Sequence, residues 1–235
     1  MIPYFRKIRK KMADDNRPLR YARYAIGEIV LVVIGILIAL QINTWNEERK
    51  GREIGTSLLK NLTSDLIRNQ ELLTRDILWH KNAVNSIDIL IKVHKENIPY
   101  HDSLQKHFDN ARKFPDPRLS FAAYQEIKNK GLDFISSPEL KKKIIDLYEV
   151  SIEDMIVTLN RLERALKPTQ MSHQLQNFEA GKNKLIPTNK NTIMQDEVYL
   201  NIISQRLSYT DWSIRMKEQL IKDMTEVLNL IETKL

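Results

Sequence analysis

The chain has 235 residues, of which 42% are hydrophobic, with six glycines, eight prolines, no cysteine and a net charge of +7. The lack of cysteine excludes thiol catalysis, cysteine-ligated zinc, disulfides and a lipoprotein anchor, and the scarcity of glycine and proline favours long helices. Residues 1–23 hold eight basic against two acidic side chains, whereas the rest is nearly balanced, so the folded part lacks the basic face that nucleic-acid binding requires.

Residues 1–23 form the first predicted segment, a basic leader. Its apolar residues recur at helical spacing among the basic ones, which predicts a short amphipathic helix on the inner membrane face. Asp14-Asp15-Asn16 and Pro18 would end this helix before the next segment begins. The side chains that we expect to contact anionic lipid are Arg6, Lys7, Arg9, Lys10 and Lys11.

Residues 24–45 are predicted to form a single transmembrane helix. Ile29 to Leu40 is an unbroken run of twelve apolar residues, and its flanks extend it to the roughly 20 residues that a bilayer requires. Tyr21 and Tyr24 at one end and Trp45 at the other are placed as interface anchors. A cleaved signal peptide is the alternative, but no A-x-A-like cleavage site follows the apolar run.

Basic residues predict the orientation of this helix. Eight precede it, whereas the basic residues that follow it are mixed with Glu47, Glu48 and Glu53. The positive-inside rule therefore predicts a cytoplasmic N-terminus and places residues 46–235 on the opposite side of the membrane.

Two features of the predicted span point to contacts inside the membrane. Gly27, Gly35 and Ala39 form a thin face on which a second helix could approach closely, although small residues are also simply common in membrane helices. Glu28 lies about one turn inside Tyr24, and a carboxylate at that depth is either functional or reaches back to the cytoplasmic interface.

The sequence of residues 46–235 predicts helices almost throughout. Apolar residues at 3.5–3.6 spacing predict a long helix from about 46 to 97, whose apolar stripe is interrupted by Asn69, Asp76 and His80. Shorter helices are expected at about 102–112 and 120–130, the second ended by a left-handed Gly131. Ser137-Pro138-Glu139 predicts the start of a helix that continues to Lys167, residues 168–192 are expected to be mostly loop, and a last helix spans about 192–232.

The predicted fold class is therefore all-α, with one N-terminal transmembrane helix followed by an elongated helical bundle. The same apolar stripes could instead mark a coiled-coil oligomer. Polar insertions such as Asp76 and Lys217 argue that no stripe is a pure zipper.

Two stretches carry a family resemblance. One is Tyr24–Glu47, with the core GEIVLVVIGILIALQIN, and the other is Tyr124–Tyr148. Together they resemble a bacterial family of single-span envelope proteins known only as a domain of unknown function. The resemblance implies the bacterial inner membrane, with residues 46–235 periplasmic, and suggests a packing or partner role for Glu28 and Gly35. It implies no activity.

No catalytic motif is present. The five histidines form no H-E-x-x-H, and G-x-S-x-G, P-loop and G-x-G-x-x-G motifs are absent, so we predict no catalytic residue, metal, cofactor or small-molecule ligand. A metal site assembled by folding stays possible. The aromatic residues around Gly131 either line a pocket or belong to the core: Phe121, Tyr124, Phe134 and Tyr148.

The sequence favours a non-catalytic scaffold or accessory subunit of a cell-envelope complex. Its expected partners are the lipid bilayer and either another membrane protein or further copies of this chain. The alternative is an extracytoplasmic sensor or ligand-binding module that signals through the anchor helix. An enzyme is a third hypothesis, supported only by the unassigned middle region.

Overall fold

A computed structural model of the chain describes residues 18–114 and 118–234, with side chains from Ala22 onward. The predicted leader contacts at Arg6, Lys7, Arg9, Lys10 and Lys11, and the side chain of the predicted anchor Tyr21, lie outside the described residues. Helix α1 spans Pro18–Lys95. The chain divides into two compact units, with the boundary between Ile54 and Gly55, and each unit is described by itself.

The first unit contains the apolar part of α1. Every residue from Ile29 to Trp45 is exposed, so this stretch packs its side chains against nothing else in the described chain. Among the described residues, α1 alone is long and apolar enough to cross a membrane.

The second unit is a helical bundle with one short hairpin, and the all-α prediction is confirmed. After α1 come a 3₁₀ turn at Asp102–Leu104, α2 at Gln105–Arg112, α3 at Ala122–Lys130 and a 3₁₀ turn at Leu132–Phe134. Then follow α4 at Pro138–Ile145, a π-helical stretch at Asp146–Ile152 and α5 at Glu153–Asn177. Strands β1 at Phe178–Gly181 and β2 at Lys184–Pro187, a 3₁₀ turn at Ile193–Gln195 and α6 at Glu197–Glu232 complete the order.

The local start and stop signals act as predicted. The Ser137 hydroxyl accepts the N–H of Leu140 at 3.3 Å and so caps α4. Gly131 ends α3 with φ of +111°, a conformation that side chains with a β-carbon rarely adopt. Helix α1 ends at Lys95, close to the predicted position, and Asn97 follows with φ of +50°.

The prediction of a loop at residues 168–192 is wrong. Helix α5 runs through Pro168 to Asn177 because contacts beyond the proline hold its last turns in place. The side chain of Gln170 donates to the carbonyl oxygen of Arg112 at 3.0 Å. The antiparallel hairpin that follows pairs Phe178 with Pro187 and contributes buried Phe178 and Leu185 to the core.

Helices α1 and α6 pack antiparallel in the second unit. Gln70 donates to the carbonyl oxygen of Ile221 at 3.2 Å, Lys81 pairs with Glu218 at 3.1 Å, and His94 lies 3.5 Å from Glu197. Later residues of α1 thus meet earlier residues of α6.

Two apolar core clusters lie along this helix pair. The first contains Leu58 to Leu73 of α1 and Leu220 to Ile231 of α6, with side chains from α3 and α4. The second contains Ile87 to Val93 of α1 and Tyr199 and Ile203 of α6, with side chains from α2 and the hairpin. The stretches of α1 and α6 between the two clusters bury polar side chains as well as apolar ones.

Candidate functional site

The small residues of the apolar part of α1 leave its backbone accessible to a neighbouring helix. A β-carbon built on Gly27 or Gly35 would meet no atom within 4 Å. Gly35 and Ala39 are four residues apart, so they lie one above the other on the helix surface. This spacing is typical of faces on which membrane helices approach closely.

Polar and aromatic residues flank this stretch. Glu28 is partly buried and engaged in an interaction with another group. Tyr24 is partly buried and Trp45 is 62% exposed, at opposite ends of the exposed run. The predicted roles of Glu28 as an intramembrane carboxylate and of Tyr24 and Trp45 as interface anchors stay predictions.

The second candidate site is the set of polar side chains buried between α1 and α6. Asp76 and His80 lie one turn apart on α1, and Ser213 and Lys217 lie one turn apart on α6. None of the four is more than 5% exposed. We call these four residues the polar layer.

Each side chain of the polar layer contacts another. The Lys217 ammonium forms an ion pair with the Asp76 carboxylate. Nδ1 of His80 lies 3.0 Å from the carbonyl oxygen of Asp76 and 3.4 Å from its carboxylate. Nε2 of His80 lies 3.3 Å from Oγ of Ser213 and 3.5 Å from Nζ of Lys217.

These distances assign the tautomer of His80. Nδ1 carries the hydrogen because its neighbours are a carbonyl and a carboxylate oxygen, which only accept. Nε2 is then the acceptor for the hydroxyl of Ser213 and the ammonium of Lys217. Both ring nitrogens of His80 therefore have suitable partners when the ring is neutral.

Electrostatics favour the same neutral form. Burial, followed by the positive charge of Lys217, lowers the pKa of His80 to about 4, although the carboxylate of Asp76 acts in the opposite direction. The guanidinium of Arg206 makes a smaller contribution to the same lowering of the pKa. At neutral pH the histidine is uncharged, and Asp76 and Lys217 neutralise each other.

Arg206 lies further along α6 and is also buried, at 1% exposure. Its Nη2 donates to the carbonyl oxygen of Lys113, and its guanidinium stacks 3.5 Å above the ring centre of Phe114 and 4.8 Å from that of Tyr209. Burial lowers the pKa of Arg206 to about 10, which leaves it protonated at neutral pH.

Ser213, His80 and Asp76 have the composition of a serine nucleophile, a base and an orienting acid. Their environment opposes that chemistry. Ser213 is fully buried, Lys217 occupies the same nitrogen of His80 that would accept the serine proton, and a base with a pKa of about 4 removes protons poorly at neutral pH. In this conformation the polar layer holds two helices together.

Sequence patterns identified this layer only in part. Asp76, His80 and Lys217 were visible as interruptions of apolar stripes, whereas Arg206 and Ser213 were missed. The usable signal was the 4-3-4 spacing of 206, 210, 213 and 217, which places four polar residues on one face of α6.

The aromatic residues around Gly131 belong to the core rather than to a pocket. Tyr124 and Tyr148 are both 4% exposed and stack with their ring centres 4.3 Å apart and their planes at 7°. Phe121 and Phe134 pack against the same cluster. Within the described ranges, no group of three or more His, Asp or Glu side chains is placed to hold a metal ion.

Comparison with known protein families gives a match to a family of unknown function (DUF6090) over residues 28–204, about three quarters of the chain. The match includes Glu28, Gly35, Ala39, Asp76 and His80, and it ends before Ser213 and Lys217. Neither the curated proteins nor the solved structures gave a match.

Proposed function

The chain belongs to this family of unknown function, and we propose that it is a single-pass membrane protein that acts as a non-catalytic scaffold or accessory subunit of a cell-envelope complex. Its N-terminus is cytoplasmic, and residues 46–235 are periplasmic. It binds its partner, another membrane protein or a second copy of itself, through the membrane helix.

The observation that carries this proposal is the run of exposed apolar residues from Ile29 to Leu40. A soluble protein rarely exposes so large a continuous apolar surface to water. A lipid bilayer removes this cost because its hydrocarbon core is apolar, and a helix can lie there because it satisfies its own backbone groups.

The bare backbone of this helix supports a packing role. Gly27 and Gly35 leave room for a neighbouring helix, and Gly35 with Ala39 has the spacing of close helix contacts. The non-catalytic assignment is supported by the polar layer, because its only serine–histidine pair is shielded from solvent.

Single-cysteine variants test the topology, because the natural chain contains no cysteine to remove. Met12→Cys lies in the leader and Ser57→Cys on an exposed position of α1. With the outer membrane permeabilised, an impermeant maleimide should label Ser57→Cys at once and Met12→Cys only after the inner membrane is opened. The reverse order would overturn the orientation, and equal labelling in a soluble fraction would overturn the anchor.

Crosslinking within the membrane tests the packing face. Gly35→Cys and Ala39→Cys should form disulfide-linked dimers under mild oxidation where the partner is a second copy, and adducts through a thiol-attached photocrosslinker where it is another membrane protein. Val33→Cys and Leu40→Cys, on the opposite side of the helix, are matched controls that should stay monomeric. Equal crosslinking of all four variants, or none by any of them, would count against a specific face.

A second candidate function is an extracytoplasmic sensor. The buried polar layer favours it, since charged groups inside a helical bundle respond to changes that an apolar core ignores. A stimulus that changes exposure of the polar layer without dissociating a partner would separate this function from the scaffold.

A further inference from the structure

The polar layer and Arg206 together place more positive than negative charge in one buried region. Asp76 supplies the carboxylate and Lys217 the ammonium that pairs with it, while Arg206 adds a second buried cation on the same face of α6. Neutral His80 adds no charge. A protonated His80 would be a third cation beside the Asp76 carboxylate, and its Nε2 would no longer accept from Ser213 or Lys217.

Among the residues that the structure describes, the other titratable groups near the layer do not offset that extra charge. Glu163 of α5 favours the charged form of Arg206, but its carboxylate pairs with Lys167 at 2.6 Å. Tyr209 is neutral, because burial raises the pKa of its hydroxyl. Lys81 follows His80 on α1 and pairs with Glu218 on the protein surface.

We infer that the polar layer is an acid-sensitive latch between α1 and α6. When a proton binds Nε2 of His80, the contacts to Ser213 and Lys217 break and water enters the layer. The two apolar core clusters on either side of the layer consist of uncharged side chains. Helices α1 and α6 therefore stay packed at both clusters and separate only between them. The inference concerns Gly55–Leu235 alone and does not rest on the proposed membrane function.

The direction of the response follows from linkage. In the closed layer the pKa of His80 is about 4, and in the opened layer it returns to its ordinary value of 6.5. The opened state therefore binds the proton more readily, and closure is lost as pH falls from 6.5 towards 4. Between pH 7.5 and pH 5 the ratio of open to closed layer should rise roughly 30-fold.

Amide hydrogen exchange of the full chain in detergent tests this inference. Protection is compared at pH 7.5 and pH 5 after correction for the intrinsic pH dependence of exchange. Peptides covering 73–83 and 210–220 should lose protection by roughly 30-fold at the lower pH. Peptides from the first core cluster, at 58–66 and 224–231, should change little and serve as internal controls.

His80→Gln is the matched variant, because glutamine keeps both a donor and an acceptor but cannot be protonated. Its layer peptides should be equally protected at both pH values. A wild-type layer that keeps its protection at pH 5, or a His80→Gln layer that loses protection as steeply as the wild type, would overturn the inference.

Lys217→Met is the second test of whether protonation of His80 opens the layer, and it is used if His80→Gln fails to fold. Without the ammonium, the pKa of His80 in the closed layer should rise towards 6.5 but stay below it, because burial, the larger cause of the lowering, remains. The loss of protection between pH 7.5 and pH 5 should therefore be smaller in Lys217→Met than in the wild type. A Lys217→Met layer that opens on acidification as steeply as the wild type would contradict the latch.

Discussion

Gly55 of α1 meets the backbone of Phe134 so closely that no side chain fits between them. A β-carbon at Gly55 would lie 2.2 Å from the carbonyl oxygen of Phe134. Because the obstacle is backbone rather than a flexible side chain, α1 or the 3₁₀ turn at Leu132–Phe134 must move to accept any larger residue. Glycine at this position therefore fixes how the turn packs on α1.

Gly55→Ala should destabilise the second unit by about 1–3 kcal/mol, as overpacked core positions do. Thermal unfolding of the purified full chain followed by circular dichroism measures the loss. Gly35→Ala is the control, because a β-carbon there meets nothing within 4 Å and alanine favours the helix. Equal unfolding temperatures for both variants would show that the close approach carries no energetic cost.

Asn69 explains one polar interruption of the α1 stripe. It is fully buried, donates to the carbonyl oxygen of Ser120 at 2.8 Å and accepts the N–H of Ser120 at 2.7 Å. Its amide thus satisfies both backbone groups of a residue that precedes α3. Asp65 supports the same segment by accepting the N–H of Ala123 at 2.9 Å.

Asn69→Leu should cost about 2–4 kcal/mol, because it leaves two backbone groups without partners in the interior. The free energy of unfolding in urea measures this loss. Asn61→Leu provides a matched control, since Asn61 is exposed and donates only to the surface carboxylate of Glu126 at 3.1 Å. A difference below about 0.5 kcal/mol between the two variants would contradict a buried clamp.

Asp196 joins the start of α6 to α5. Its carboxylate accepts the N–H groups of Val198 and Tyr199 at 2.9 and 3.0 Å and pairs with Nε2 of buried His173 at 2.7 Å. Burial acts to raise the pKa of Asp196, but the N–H of Tyr199 and the contact with His173 outweigh it and lower the pKa.

Asp196→Ala should cost about 1–3 kcal/mol, because it removes a helix cap and leaves His173 without its carboxylate. Asp196→Asn should retain most of the cap, since asparagine caps helices as well as aspartate does. The lowered pKa makes the contribution of Asp196 full above the ordinary aspartate pKa, and this contribution is lost progressively as pH falls from there through the lowered pKa. The difference in unfolding free energy between Asp196→Asn and the wild type should therefore be smaller at pH 3 than at pH 7.

The predictability of this fold differed between its apolar and polar parts. Apolar spacing and caps located α4 and the long helices, because Ser137, Pro138 and Gly131 act through their immediate neighbours in the chain. The π-helical stretch at Asp146–Ile152 was not predicted, since an extra residue in a turn leaves no local sign in an apolar pattern.

The partners of buried polar residues depend on distant parts of the chain. Asn69 and His80 were visible as interruptions of a stripe, but their partners lie 51 and 133 residues away at Ser120 and Ser213. Periodicity carries no information about such pairs. The sequence could therefore show that polar residues interrupt the apolar stripes of α1 and α6, but not that these residues form one cluster.

The prediction that Pro168 ends the helix is wrong because contacts with distant residues override a local rule. Proline interrupts helices, since it has no N–H to donate and its ring collides with the preceding turn. Here it lies inside α5 on an exposed position. The buried side chains of Gln170 and His173, which follow it, contact Arg112 and Asp196 and so keep this part of α5 helical.

Replacement of Pro168 should therefore stabilise the protein. Pro168→Ala restores an N–H that can donate to the carbonyl oxygen of Arg164 and removes the ring, so we expect a gain of about 1–3 kcal/mol. Pro138→Ala is the matched control, because proline at the first turn of α4 forms no such conflict and its loss should bring no gain. Urea unfolding of both variants tests this difference, and a Pro168→Ala variant that is less stable than the wild type would mean that α5 requires a bend at this residue.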